Sequence, residues 1–143
     1  MSKLGVLYFT RTDNSKRIAE KLTNKLSCDL IQVTDNINYK GLFGYLKAGS
    51  FSMRNRHVDI DVLGDLDGLE EYIVVGPLWA GGLAPAVKTL LDQLPRDKVH
   101  LVVSSRRDPV EDRSGFLTVH DITRKAGNEE EAIQKLVDSL QAA

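Results

Sequence analysis

A single cysteine among 143 residues excludes any internal disulfide. Cys28 sits in an apolar, strand-like run with no reactive context, so a reducing, cytoplasmic setting is expected and a catalytic thiol is not. No apolar stretch reaches the length of a membrane span, and the opening residues MSKLGVLYF carry no cleavable signal pattern. Charge of neither sign dominates. With 19 Lys and Arg against 20 Asp and Glu and an isoelectric point near 6.3, the chain has no global field to draw nucleic acid or a membrane surface. A GxSxG elbow, a P-loop lysine and a dinucleotide GxGxxG are all missing, which removes hydrolase, NTPase and Rossmann dehydrogenase readings. His57, His100 and His120 are scattered, without cysteines or carboxylates at metal-ligand spacing, so structural roles are expected of them. The length suits one domain, 1–143, with a substantial core.

What the chain does have is concentrated in Leu4 to Lys16, LGVLYFTRTDNSK. An apolar run of strand length passes directly into Thr10-Arg11-Thr12-Asp13-Asn14-Ser15, and a helical pattern follows. A strand, a short polar turn and a helix N-terminus leave backbone N–H groups at the positive end of a helix dipole, where an anion such as phosphate gains most. Three hydroxyls and one side-chain amide surround the same point.

The remaining pattern alternates. A helix is expected over about Ser15–Lys25, with Ile18, Ala19, Leu22 and Leu26 on its buried face. A strand follows at Asp29–Val33, then a polar loop from Thr34 to Lys40. Gly41–Arg54 reads as a broken helix, weakened by Gly44 and Gly49. The segment from Lys40 to His57 holds four basic residues and no acid, whereas Asp59–Glu71 holds six acids and no base. Tyr72–Gly76 is a continuous apolar run, as in a strand buried on both faces. After Pro77-Leu78-Trp79-Ala80-Gly81-Gly82-Leu83 comes a helix over Ala84–Gln93, with Pro85 in its first turn. Strands are expected at Val99–Val103 and Leu117–Ile122, and a final helix is marked by Asn128 as N-cap followed by three glutamates. Such alternation specifies a doubly wound α/β domain.

Only about eleven residues, SRRDPVEDRSG, separate the last two strands, and they show no helical stripe. The helix between strands 4 and 5 is therefore shortened or missing. The sheet face it leaves should be covered by a second copy of the chain in a homodimer, by Gly41–Arg54, or by a bound ligand and loop packing.

Two of these stretches resemble the flavodoxin family. Thr10 to Ser15 is similar to its phosphate loop, T-x-T-G-x-[ST], and Val75 to Lys88 is similar to the segment that passes beside the flavin ring. The resemblance implies a five-stranded parallel sheet of order 2-1-3-4-5 with FMN at the carboxyl ends of the strands. It implies that Thr10, Thr12, Asn14 and Ser15, with backbone N–H groups from Arg11 to Ser15, hold the phosphate. Pro77, Leu78, Trp79 and Ala80 would line the ring, with Trp79 against its face. Gly81 or Gly82 would set a peptide at flavin N5, and Ser104, Ser105, Arg106 and Arg107 would border the pyrimidine edge. The function implied is electron or hydride transfer through FMN to a redox partner protein or a small quinone-like acceptor. A flavodoxin-fold binding or regulatory module that has lost FMN is the alternative. It is motivated by the missing helix and by Asp13, which stands where the family has glycine and should weaken FMN binding.

Overall fold

The computed structural model describes residues 3–9, 13–35, 60–79, 82–111 and 113–141. Its elements run β1 (Leu4–Tyr8), α1 (Asn14–Leu26), β2 (Asp29–Asp35), β3 (Ile60–Leu63), β4 (Glu71–Trp79), β5 (Gly82–Leu83), α2 (Pro85–Gln93), a 3-10 turn (Arg96–Lys98), β6 (Val99–Ser105), β7 (Thr118–Thr123) and α3 (Glu129–Gln141). Five strands are parallel in the order β2-β1-β4-β6-β7, which is the expected 2-1-3-4-5 arrangement. Two short strands were not expected. β3 lies antiparallel on the outer edge of β2, pairing Val62 with Val33, and β5 folds back on the end of β4. The expected segment Gly41–Arg54 lies outside the described residues.

Helix positions follow from the apolar stripes. Ile18, Ala19 and Leu22 of α1 and Ile133, Leu136 and Val137 of α3 cover one face, against Val6, Tyr8, Ile73, Val75, Val102 and Ile122. Val87, Leu90 and Leu91 of α2 cover the other, against Leu7, Phe9, Val74, Leu101 and Val103. Each fully buried side chain of this kind contributes about 1.5–3 kcal/mol, so both faces are needed. Gly76 fixes the seat of α2: a Cβ there would stand 2.4 Å from Val87 Cγ2, so the helix packs on bare backbone just before the β4–β5 hairpin.

Among the described residues, none between β6 and β7 is helical. The loop covers its side of the sheet itself, by burying Val110 and packing Phe116 against the α2-side core. The Arg96 guanidinium lies 4.5 Å from the Phe116 ring centroid. Val110 N–H donates to Asp121 Oδ1 at 2.9 Å, and Arg113 pairs with the same carboxylate. Loop packing, one part of the third expected cover, is thus in place.

Two smaller expectations are corrected. Cys28 precedes β2 instead of lying within it, and burial pushes its thiol upward, which keeps it protonated and inert. Asn128 stands at the expected N-cap position of α3, its C=O accepting from Ala132 N–H at 2.9 Å, but its side chain does not cap the helix. Its Oδ1 accepts from Thr123 N–H at 3.0 Å and its Nδ2 donates to Asp121 C=O at 2.9 Å. These bonds tie the start of α3 to the end of β7.

At the amino ends of β4, β6 and β7, buried His100 contacts Glu71 Oε1 through Nε2 at 3.0 Å and Thr118 Oγ1 through Nδ1 at 2.8 Å. His120 Nε2 reaches the same hydroxyl at 3.0 Å. Burial pushes the His120 imidazole below its usual range. His100, Lys135 and Arg113 lower it further, against an opposing pull from Asp121. A proton therefore favours the unfolded chain, so this contribution is complete above about pH 6.5 and declines as pH falls below it. Urea unfolding at pH 7.5 and 5.5 should show a loss of stability on acidification that His120→Gln reduces; an unchanged slope in the variant would show that other groups set it.

Candidate functional site

The strand order reverses between β1 and β4, and the carboxyl ends of strands at such a reversal are the usual ligand position in open α/β sheets. Three segments meet around it. The first follows β1, where Phe9 N–H donates to Val75 C=O at 3.0 Å and holds the chain against β4. Thr10, Arg11 and Thr12 lie outside the described residues. Asp13 is exposed and has φ 65° and ψ 1°, a left-handed conformation that glycine adopts most readily. Its carbonyl accepts the first helical bond from Arg17 N–H at 3.0 Å, yet its carboxylate makes no capping bond. Helix geometry gives the N–H groups of the first turn no acceptor within the helix, so they are directed out of its end.

Ser15, in that first turn, is 1% exposed. Its Oγ has no hydrogen-bond partner. It is the one such buried side-chain polar atom among the described residues. A buried hydroxyl without a partner costs about 1–3 kcal/mol, and this one lies at a helix N-terminus whose first-turn N–H groups have no acceptor within the helix. Asn14, half-buried beside it, accepts from Arg17 Nη1 through Oδ1 at 3.0 Å.

The second segment is the β4–β5 hairpin, in which Trp79 pairs with Gly82 and Leu78 with Leu83. Gly82 has φ 130°, a backbone state that favours glycine. Trp79 is half-buried and meets Phe9 edge to face, with ring centroids 6.1 Å apart at 67°. Pro77 and Leu78 are half-buried on the same strand end, and Ala80 and Gly81 lie outside the described residues. Beneath the hairpin is Lys88 of α2, whose ammonium would come 3.6 Å from a Cβ at Gly82. Burial lowers its pKa.

The third segment follows β6. Ser104 pairs with Pro77 in register, which brings it next to the hairpin strand. Ser105 is buried, and its hydroxyl donates to Asp108 C=O at 2.7 Å, so it shapes the turn. Arg106 and Arg107 are exposed on that turn. Its backbone is pinned by Arg124 N–H to Ser105 C=O at 3.1 Å and Lys125 N–H to Arg106 C=O at 3.0 Å.

The residues present fit a phosphorylated flat ligand: an open helix end with an orphaned hydroxyl, an aromatic flank and a cationic turn. Sequence reasoning singled out the hydroxyls and Trp79 by residue type, and of these the described residues include Ser15 and Trp79. It missed that Ser15 is buried, although positions 15, 18, 19 and 22 form one helical stripe. It also missed Phe9 as the partner of Trp79, and the Arg17–Glu129 pair described below, for which no local signal exists.

No protein-family model matches this chain. No curated protein matches it either. Solved structures do. A candidate flavoprotein from Bacteroides eggerthii DSM 20697 is 18% identical, covering 97% of this chain and 98% of its own, with a TM-score of 0.76. Another from Bacteroides uniformis ATCC 8492 is 13% identical over 94% of this chain and 97% of its own, at 0.75. A flavoprotein from Lactobacillus acidophilus NCFM, solved in complex with FMN, is 18% identical over 92% and 99%, at 0.64. The element order of this chain, with its near-complete overlap with these structures, defines the class: an open, doubly wound, mostly parallel α/β sheet. Within it, the 2-1-3-4-5 order of the parallel strands makes the fold flavodoxin-like. Among the described residues no helix is long and apolar enough to cross a membrane.

Proposed function

We propose that the chain binds FMN in the crevice between β1 and β4 and acts as a cytoplasmic flavodoxin-like redox protein. The observation that carries this reading is the buried, unpartnered Ser15 hydroxyl at the uncapped start of α1. A phosphate oxygen bound at the start of α1 would satisfy that hydroxyl, which supports the FMN-binding reading over a module that has lost its ligand. That one structural neighbour was solved with FMN supports the choice of ligand.

Ser15 and Asn14, together with the hydroxyls of Thr10 and Thr12 and the turn's N–H groups, would hold the phosphate. Trp79 would flank the ring, where aromatic stacking is worth about 0.5–1.5 kcal/mol beyond burial. The glycines of the hairpin would let its peptide turn toward the ring. When bound, FMN supplies electron or hydride transfer, and the chain supplies orientation and electrostatics. The near-neutral net charge supports a small quinone-like acceptor over docking to a strongly basic redox partner.

Titration of the purified protein with FMN, followed by quenching of flavin fluorescence, should saturate at one flavin per chain. A protein that leaves FMN fluorescence untouched overturns the assignment. Stopped-flow mixing of the complex with NADH or NADPH then identifies the donor. The paired cations at Arg106 and Arg107 favour a reduced, anionic flavin. Replacing both by glutamine should move the midpoint potential to a more negative value, and an unmoved potential would place both side chains away from the ring.

A further inference from the structure

Asn14 does not stand alone at the anion site. Arg17, one turn along α1, donates Nη1 to Asn14 Oδ1 at 3.0 Å. The other edge of the same guanidinium grips Glu129, the first residue of α3, through Nε at 3.2 Å to Oε2 and Nη2 at 2.6 Å to Oε1. Lys21 donates to the same Glu129 Oε2 at 2.6 Å and to Glu130. Glu129 is itself fixed, because Asn128 ties the preceding residue of the chain to Thr123 and Asp121 of β7. The chain of contacts thus runs from the sheet, through the start of α3, to the first residue of α1, and its Arg17–Glu129 link joins residues 112 apart in sequence.

A guanidinium only donates, so the amide must turn its oxygen toward Arg17 and its Nδ2 donor end away from it. This matters at an anion site, where an amide in the opposite orientation would present a carbonyl oxygen and repel the ligand. We infer that Arg17, anchored by Glu129, is a positioning residue for the phosphate end of the ligand, holding Asn14 as a hydrogen-bond donor. The inference rests on the FMN reading and adds to it a residue outside the loop that resembles the family motif. Hydrogen bonds from Arg17 and Lys21 hold the Glu129 carboxyl down at about 2, so it is a carboxylate at neutral pH.

The test compares FMN with riboflavin, which lacks the phosphate, by fluorescence titration of the full chain. Arg17→Ala should weaken FMN about tenfold, the effect of one misoriented donor to a charged group, and leave riboflavin unchanged. Asn14→Asp, which keeps the acceptor for Arg17 and abolishes the donor, should lose at least as much. Arg17→Lys should fail to restore the preference, because one ammonium cannot span the carboxylate and the amide together as the planar fork does. Adding Glu129→Ala to Arg17→Ala should cost FMN affinity nothing more, since both act through one contact. The inference is overturned if Arg17→Ala weakens both flavins equally, which marks the pair as merely structural, or if Arg17→Lys keeps the wild-type preference. It is also overturned if Glu129→Ala alone tightens FMN. A wild-type protein that binds riboflavin as well as FMN would instead remove the phosphate site itself.

Discussion

Ser15→Ala should yield a flavin-free protein that is more stable than wild type and a complex that is weaker. The two effects have one cause. In the flavin-free chain the Ser15 hydroxyl is buried without a partner, a state that costs about 1–3 kcal/mol relative to a satisfied group. Removing the oxygen removes that cost, offset in part by the small void left behind. A net gain of about 1 kcal/mol corresponds to a rise of roughly 2–5 °C in Tm for a chain of this size. With FMN present the sign reverses, because the lost hydroxyl can no longer donate to a phosphate oxygen. A hydrogen bond to a charged group contributes about 1.5–3 kcal/mol, so the dissociation constant should rise about tenfold or more. Thermal melts without flavin and titrations with FMN, carried out on the same two proteins, check both halves. A variant that is less stable and binds FMN normally would show that the hydroxyl serves the fold. Only a ligand-directed group makes stability and affinity move in opposite directions, which is why this substitution tests the site more sharply than deleting an exposed contact.

The opposition between stability and binding also explains which parts of the molecule could be read from residue order. The parallel strands were legible because each is a short, apolar run bounded by turn residues, and the helices because their stripes repeat at helical spacing. β3 was not. Its two core-facing residues, Ile60 and Val62, sit in a stretch dominated by acids, and the edge position asks for burial on one face only. The last helix began where Asn128 suggested, but its side chain spends both ends on β7, a choice fixed by tertiary contact. The turn proposed to hold the phosphate stands out as a cluster of hydroxyls next to a helix start. What composition leaves open is which hydroxyl points inward. Ser15 was decidable, since it continues the stripe of Ile18, Ala19 and Leu22 backward by one turn. The Arg17–Glu129 contact joins residues 112 apart. Any of the chain's other acids was an equal candidate until the helices were packed.

Asp13→Gly should bind FMN about tenfold more tightly than wild type, with little change in the stability of the flavin-free protein. Asp13 holds a left-handed conformation that suits glycine, so the substitution relieves backbone strain while giving the unfolded chain more freedom, and these terms nearly cancel. The carboxylate also interacts favourably with the helix end, by about 0.3–1 kcal/mol, and this is lost. Against these small terms stands repulsion between the carboxylate and a phosphate dianion bound at the same helix end. Two unit charges at 4 Å interact by about 1 kcal/mol in water and about 4 kcal/mol near a protein surface, so partial relief accounts for a tenfold gain. The two causes separate with Asp13→Asn, which keeps a side chain tolerant of the left-handed state and removes the charge. If repulsion dominates, Asn recovers most of the tightening, and the advantage of both variants shrinks at 1 M salt, where the screening length falls to about 3 Å. If strain dominates, only glycine helps and salt leaves the ratio alone. Unchanged affinity in both variants would mean that the phosphate does not sit at the start of α1, and the crevice would have to take FMN in another orientation or not at all.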